Sequence, residues 1–302
     1  MLQVTNGDAA AEKIRSSSIG GEVLPWRDVL HEGPVPAGLS LEELGNVRAD
    51  FLASNGLDPV ELRREFAARD LALQGFAAHG EVVLWFEHDL YDQLQLIQLL
   101  DFFAGVELGA TRLSMVCGAE YLGPSAPERL AARFAERETV TQAQLALGRA
   151  AWAAFRSPDP REIERIAAGG TAALPFLRAA LARHLEQYPS ARNGLSRSEQ
   201  QALEAIDAGA RSVRDAFFAH QQREEPVWLG DWTFSDYLAG LAGGARPLVT
   251  LNGAVELTDD GRAVLAGRED RVRLNGIDRW LGGVHLTGGQ LWRWDAEAGR
   301  LV

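Results

Sequence analysis

Acidic and imidazole side chains are concentrated in the segment Glu87-His88-Asp89-Leu90-Tyr91-Asp92-Gln93. Asp89 and Asp92 are three residues apart, so a helix that begins here places both carboxylates on one face of its first turn. Like charges placed this close repel each other unless a cation or a proton lies between them. We therefore expect Asp89 and Asp92 to be metal ligands, with Mg²⁺, Mn²⁺ and Zn²⁺ left open. The structural alternative is a solvated helix start that Asp89 caps.

The residue types that transfer protons occur in two places. Glu87 and His88 stand directly before Asp89, and Asp28 and His31 occupy an earlier loop. Carboxylates and imidazoles are the commonest general acids and bases in enzymes. We expect Glu87, His88, Asp28 and His31 to be catalytic.

A second group of residues could hold a substrate. Arg27 could bind a phosphate or carboxylate through two parallel hydrogen bonds, and Trp26 could stack on a ring. The alternative is that Trp26 belongs to the core and that Arg27 pairs with Asp28. Further candidates for substrate binding come from other segments, namely Asn6, Gly7, Asp8 and Gln93.

The segment Asn6-Gly7-Asp8 has a structural and a functional interpretation. Asp8 can cap a helix, and Gly7 can allow a tight turn or the close approach of a phosphate to the backbone. The glycine spacing of a dinucleotide-binding site is missing, and so is a phosphate-loop lysine motif. Neither a nicotinamide cofactor nor ATP is indicated.

Alternating strands and helices position these residues. Strands are predicted over 2–5, 22–24, 82–86 and 113–117, and helices over 9–17, over 40–75 and from Asp89 onward. Such alternation predicts an α/β fold with a Rossmann-like, doubly wound parallel sheet over residues 1–123. Since the carboxyl ends of parallel strands share one edge, the acidic residues and histidines that follow the strands should converge there.

The remaining chain divides into two further regions. Residues 124–192 are predicted to form several short helices that pack on the first domain, and the segment 188–194 is rich in helix breakers. In residues 193–302, three helices precede a hairpin around Asn252-Gly253, and Ser196 or Ser198 can cap the first of them. Together with Leu257-Thr258-Asp259-Asp260-Gly261-Arg262, this order resembles a winged helix in an α+β domain.

Composition bounds the class of protein. The chain has 302 residues, 46% of them hydrophobic, and a net charge of −12. No apolar run reaches the ~18–20 residues of a membrane helix, and the single cysteine, Cys117, excludes an internal disulfide. We expect a cytoplasmic protein without a membrane partner. The acidic balance also disfavours DNA binding.

Three motifs occur in order along the first part of the chain. They are Val4-Thr5-Asn6-Gly7-Asp8, the segment from Leu24 to Pro34 (LPWRDVLHEGP) and the segment from Leu84 to Leu94 (LWFEHDLYDQL). Together they resemble a bacterial family known as domain of unknown function number 1835. The resemblance covers about the first 125 residues, and Arg192–Arg197 and Asn275–Trp280 look similar to the part that accompanies them. It implies no particular activity.

The sequence leaves three classes of function open. We favour an enzyme that acts on a small anionic molecule, such as a nucleotide or a phosphorylated metabolite, by metal-assisted hydrolysis or transfer. The alternatives are a noncatalytic ligand- or partner-binding module and a ligand-responsive winged-helix regulator. The regulator is disfavoured because residues 231–244, the candidate recognition helix, contain two Asp and neither Lys nor Arg. A homodimer is also left open, with 280–286 as a candidate interface.

Overall fold

The computed structural model describes residues 1–54, 56–289 and 291–302, and the chain divides into two compact units. The first unit comprises Met1–Ala180 and Gly282–Val284, and the second comprises Leu181–Leu281 and His285–Val302. Within the described ranges, none of the helices combines the length and the apolar character needed to cross a membrane.

A five-stranded, mostly parallel sheet organises the first unit. Its strands are β1 (Leu2–Thr5), β2 (Glu22–Pro25), β4 (Glu81–Phe86), β5 (Arg112–Cys117) and β6 (Glu138–Thr139), while the short β3 (Gly33–Pro34) is not part of it. The order is β2-β1-β4-β5-β6, and only β6 is antiparallel to its neighbour. The central strands are almost entirely buried, which explains their continuous apolar sequences. The predicted α/β fold with a parallel sheet is thereby confirmed.

Seven α-helices accompany this sheet, and an eighth continues into the second unit. They are α1 (Asp8–Ser16), α2 (Leu41–Ala53), α3 (Pro59–Gln74), α4 (Leu90–Ala104), α5 (Pro127–Ala135), α6 (Gln142–Phe155), α7 (Arg161–Gly169) and α8 (Leu177–Leu185). A 3₁₀ turn, Gly75–Ala78, follows α3. Capping boxes begin α2 at Ser40 and α6 at Thr141.

The prediction of one helix over 40–75 is wrong, because the chain forms α2 and α3 instead. Gly56 has a φ of +92°, a left-handed conformation that favours glycine and cannot continue a helix. Asp58 then accepts hydrogen bonds from the N–H groups of Val60 and Glu61, and Pro59 occupies the first helical turn. A new helix start therefore interrupts the predicted one; Asn55, within the same prediction, lies outside the described residues.

The second unit combines five further helices with short strands. The helices are α9 (Arg197–Asp207), α10 (Val213–Gln221), α11 (Asp231–Ala242), α12 (Asp259–Leu265) and α13 (Arg271–Asn275). The strands are β7 (Val249–Thr250), β8 (Glu256–Leu257), β11 (Trp294–Asp295) and β12 (Arg300–Leu301). Two further strands, β9 (Arg279–Gly282) and β10 (Val284–Leu286), belong to the second unit except for Gly282 and Val284. The predicted hairpin around Asn252-Gly253 is confirmed as the antiparallel pair β7–β8, although its strands are shorter than expected. Ser196 caps α9 in a capping box with Glu199, as one of the two predicted caps.

A glycine pair brings a late segment of the chain into the first unit. Gly283 N–H donates to the carbonyl oxygen of Phe155 at 2.9 Å, and the Gly282 oxygen accepts from Val35 N–H at 2.8 Å. A Cβ on Gly282 would stand 2.4 Å from the Phe155 oxygen, and one on Gly283 would stand 1.9 Å from the Arg156 oxygen. Only residues without a Cβ permit this approach to the end of α6.

Candidate functional site

The strand order creates a point of divergence between two connections at the carboxyl edge of the sheet. Along the chain, β2 forms on one side of β1 and β4 forms on the other, so the connections diverge between β1 and β4. Ligands of open α/β sheets bind at such divergence points, outside the carboxyl ends of the strands. Thr5 pairs with Trp85 in the sheet, which brings Asn6 and Glu87 to this edge.

Three buried carboxyl groups form a cluster at this edge. One ligand oxygen from each of Glu87, Asp89 and Asp92 lies within 4.8 Å of the others. The three residues are 5%, 3% and 1% exposed. Among the described residues, no arginine or lysine forms an ion pair with any of them. Carboxylates without a paired cation in such a position are costly in free energy.

Backbone and amide hydrogen bonds hold this acid cluster in place. Asp89 caps α4 by accepting from Asp92 N–H at 3.0 Å. Asp92 accepts from Glu87 N–H at 2.7 Å and from the Asn6 side-chain amide at 2.8 Å. Glu87 accepts from Leu122 N–H at 2.6 Å. Three segments of the chain, at Asn6, at 87–92 and at Leu122, therefore fix the orientation of the carboxyl groups.

The burial of the cluster changes its protonation. Burial raises the pKa of Asp89 to about 7, with the charge of Glu87 adding to the effect. Burial and then the charge of Asp89 raise the pKa of Asp92 well above its ordinary value. Burial also raises the pKa of Glu87, against the hydrogen bond from Leu122 and the charge of Arg133. The cluster therefore needs protons or a cation at neutral pH.

His88 lies between aromatic rings beside the cluster. Its ring centroid is 5.2 Å from that of Tyr121 and 5.9 Å from that of Phe176. Burial lowers the pKa of its imidazole, which favours the neutral form at pH 7. Its Nδ1 is shielded from solvent and has no hydrogen-bond partner among the described residues. A neutral imidazole can accept a proton.

Gln93 connects the acid cluster to β5. Its amide Nε2–H donates to the Glu87 carbonyl oxygen at 2.7 Å and approaches Cys117 Sγ at 3.6 Å. Burial raises the pKa of the Cys117 thiol to about 12, so the sulfur is protonated at neutral pH. Gln93 also lines a cavity of about 370 Å³ at the end of β5.

Asp28 and His31 lie outside the acid cluster. Asp28 is 1% exposed and accepts from Arg48 Nε at 2.9 Å. Arg48 also donates to backbone oxygens of Val29 and Glu32, so it holds the loop that contains both predicted residues. The His31 ring packs against Tyr91, with centroids 5.9 Å apart.

The predicted substrate-binding residues before Asp28 have structural partners. Arg27 pairs with Asp8 at 2.6 Å, and both side chains are about half exposed or more. Trp26 is fully buried, donates to Gln98 at 2.7 Å and carries the Arg69 guanidinium over its ring. These contacts match the core alternative for Trp26, whereas Arg27 pairs with Asp8 and not with Asp28.

Gly7 precedes α1 with an extended backbone that any residue can adopt. A Cβ there would stand 3.9 Å from the Tyr91 hydroxyl oxygen, which is an ordinary contact. Asp8 is the first residue of α1 rather than its cap. Its carboxylate interacts favourably with the positive end of the helix dipole.

Two arginines near the site were not found from the sequence. Arg48 lies on α2 and Arg133 on α5, and both are buried. Their positions in amphipathic helices give no local signal, because an arginine on a helix is usually exposed.

No family model matches the chain, and no curated protein is significantly similar to it.

Proposed function

We propose that the chain is an enzyme that acts on a small anionic substrate at the carboxyl edge of the five-stranded sheet. The observation that carries the proposal is the convergence of Glu87, Asp89 and Asp92 within 4.8 Å, all buried. A stable fold gains nothing from three such groups, because apolar residues of similar size would cost less free energy in this position. Strained or costly groups of this kind are typical of functional sites.

The donor set fits a hard divalent cation. All three candidate ligands are carboxylate oxygens, which suit Mg²⁺ and Mn²⁺ better than Zn²⁺, whose sites usually include nitrogen or sulfur. Asp89 accepts from the backbone of Asp92 and Tyr91, and Glu87 accepts from Leu122 N–H and the Asn6 amide, so hydrogen bonds orient both carboxyl groups as candidate ligands. A divalent cation would supply charge for polarising a phosphoryl or acyl group.

The surrounding residues supply proton transfer and positioning. His88, with its neutral imidazole, would accept a proton from water or from a substrate hydroxyl. Asn6 and Gln93 hold Asp92 and Glu87 through their amides, so their role would be to position ligands. Asp28 and His31 would act indirectly. Asp28 would do so through the loop that Arg48 holds, and His31 through its contact with Tyr91.

Mn²⁺ binding tests the metal centre. We expect the wild-type protein to bind one Mn²⁺ in equilibrium dialysis and Asp89→Asn to lose this binding. Asp58→Asn is the matched control, because Asp58 caps α3 as Asp89 caps α4 but lies outside the acid cluster. Absence of saturable Mn²⁺ binding to the wild type would refute the metal centre.

Turnover is tested with the Mn²⁺-loaded wild type on phosphorylated metabolites and nucleotides, with released phosphate or product as the readout. Turnover that Asp89→Asn abolishes would support the enzyme. Mn²⁺ binding without turnover would favour the noncatalytic binding module instead.

We also infer a domain layout and a family. The β2-β1-β4-β5 order supports a Rossmann-like first domain, and α9, α10, α11 and the β7–β8 hairpin occur in the order of a winged helix. The motifs around Asp8, Asp28 and Asp89 support membership of the family known as domain of unknown function number 1835.

The winged-helix-like region is not expected to read DNA. Residues 195–302 carry 12 Arg against 16 acidic residues, and α11 contains Asp231 and Asp236 without a basic residue. A recognition helix needs cations for phosphates and base edges. We therefore propose an enzyme rather than a regulator, in a cytoplasmic protein whose arrangement as a homodimer is left open.

A further inference from the structure

We propose that Arg133 is the anion-binding residue of this site and that the cavity beside it receives the phosphate or carboxylate group of the substrate. The inference rests on the proposed function, because it assigns a binding partner to the substrate of that same site. In this proposal Arg133, rather than Arg27, binds the anionic group, because the Arg27 guanidinium forms an ion pair with Asp8.

Arg133 differs from the other buried arginines of the described chain in having no carboxylate partner. Four arginines are less than a tenth exposed, namely Arg48, Arg69, Arg133 and Arg183. Arg48 pairs with Asp28 at 2.9 Å, Arg69 with Asp70 at 2.8 Å and Arg183 with Glu224 at 2.7 Å. Arg133 instead donates from Nη1 to the Glu120 carbonyl oxygen at 3.1 Å, its one hydrogen bond to the described residues.

The second guanidinium nitrogen of Arg133 is left without an acceptor. Nη2 is shielded from solvent and has no hydrogen-bond partner in the described residues. A buried charged donor without a partner costs free energy that a bound anion would recover. Because a guanidinium presents its donors in a planar fork, the fitting ligand is a planar or tetrahedral oxyanion.

Arg133 lines the cavity of about 370 Å³ at the end of β5. Gly118, the first residue after β5, lines the same cavity, and a Cβ on it would stand 3.0 Å from Arg133 Nη2. The absence of a side chain at Gly118 therefore leaves the space beside Nη2 that a methyl group would occupy.

The charges around the cavity also favour Arg133 as the anion-binding residue. Arg129 lines the cavity as well, but it is bound by Glu120 and is half exposed. Glu136 and Glu138, which also line the cavity, are exposed. The charge of Arg133 is buried, and it acts at lower effective dielectric than these surface groups.

The cavity adjoins the acid cluster through Gln93. Gln93 lines the cavity and donates to the Glu87 carbonyl oxygen, while the charge of Arg133 acts on the Glu87 carboxyl group. A substrate held by Arg133 would therefore lie in the same cavity as Gln93, which contacts the backbone of a proposed metal ligand. A divalent cation at the acid cluster and the guanidinium of Arg133 could then both stabilise the charge of one phosphoryl or carboxylate group.

Calorimetric titration with inorganic phosphate and with malonate tests the proposal on the intact protein. We expect wild type to bind one or both anions saturably and Arg133→Gln to bind at least tenfold more weakly. Arg129→Gln is the matched control, one helical turn away on α5 and lining the same cavity, and should change the Kd less than twofold. Preference for phosphate would assign a phosphate ester as substrate, and preference for malonate would assign a carboxylate.

Gly118→Ala tests the site if Arg133→Gln does not fold, as judged by circular dichroism. The added methyl group would press on Nη2 and should weaken anion binding at least threefold with the arginine still present. Absence of anion binding to wild type would overturn the proposal, as would equal weakening in Arg129→Gln and Arg133→Gln or unchanged binding in Gly118→Ala.

Mn²⁺ binding by the same proteins separates this inference from the proposed metal centre. Retention of Mn²⁺ binding in Arg133→Gln with loss of phosphate binding would support both. Arg133-dependent anion binding in a wild type that binds no Mn²⁺ would refute the metal centre and leave the anion site standing.

Discussion

The side-chain amide of Asn6 donates to Asp92 at 2.8 Å, across 86 residues of sequence. Asn6 follows β1, and Asp92 lies in the first turn of α4, which follows β4. The bond therefore joins the two strand ends between which the sheet connections diverge, and it orients a carboxyl group that solvent does not reach. Such an orienting contact is what a preformed ligand site requires.

Asp89→Asn should stabilise the metal-free protein above pH 7. Burial raises the folded-state pKa of Asp89 from its ordinary value of 3.8 to about 7, so the carboxyl group lowers the stability as the pH rises from 3.8 through 7. Asparagine removes this charge and remains a good helix cap. We expect a gain of roughly 1–3 kcal/mol at pH 8 and a smaller gain at pH 5. Urea unfolding in the presence of a chelator measures both, and a loss of stability at pH 8 would contradict the prediction.

Glu81→Gln should destabilise the first unit at neutral pH. Despite partial burial, hydrogen bonds from Arg137, Ser114 and Arg112 hold the pKa of Glu81 at about 2. The lowered pKa means that its stabilisation is present above pH 4.5 and is lost as the pH falls through 2. We expect a cost of about 1–3 kcal/mol at pH 7 that shrinks below pH 4. Glu61→Gln, which removes the exposed pair with Arg64, is the control and should cost less than about 0.5 kcal/mol.

Acid should destabilise the second unit through its buried histidines. Burial lowers the pKa of His184 to about 3 and of His220 to about 4. The unfolded chain binds protons near pH 6.5 and the folded chain does not, so stability falls between pH 6.5 and 4. His220→Gln should reduce the slope of unfolding free energy against pH in this window, whatever its effect at pH 8. An unchanged slope would show that His220 does not contribute to the acid sensitivity.

Gly33→Ala should destabilise the loop that carries Asp28 and His31. Gly33 has a φ of +77°, and a Cβ there would stand 2.5 Å from the Phe51 ring. Left-handed strain and overpacking together should cost roughly 2–4 kcal/mol. Gly38→Ala is the control for strain alone, since Gly38 has a φ of +81° and open space around its Cβ position. Thermal unfolding of both variants measures the difference, which would vanish if packing against Phe51 were unimportant.

The sequence predicts the acid cluster because the patterns that indicate it are local. Asp89 and Asp92 share a helix turn by spacing, and the strand before them is a continuous apolar run. The break between α2 and α3 was missed although Gly56, Asp58 and Pro59 mark it, because the apolar spacing on either side outweighed them.

The positions of the buried arginines could not be predicted from sequence. Arg48 and Arg133 lie on helices whose local patterns do not distinguish a buried guanidinium from an exposed one. Their burial depends on which carbonyl oxygens and loops the folded chain brings near them. Similarly, the burial of Trp26 depends on the approach of Gln98 and Arg69, from two different helices.

The glycine pair Gly282-Gly283 has a consequence for the order in which the protein can be made. The end of α6 and the Val35 N–H meet partners that are synthesised more than a hundred residues later. On the ribosome, the first unit therefore remains incomplete until Gly282–Val284 has emerged. A translation product that stops after residue 180 would lack these partners. Because the first unit consists of two separate stretches of the chain, one contiguous gene segment that ends at residue 180 does not encode all of it.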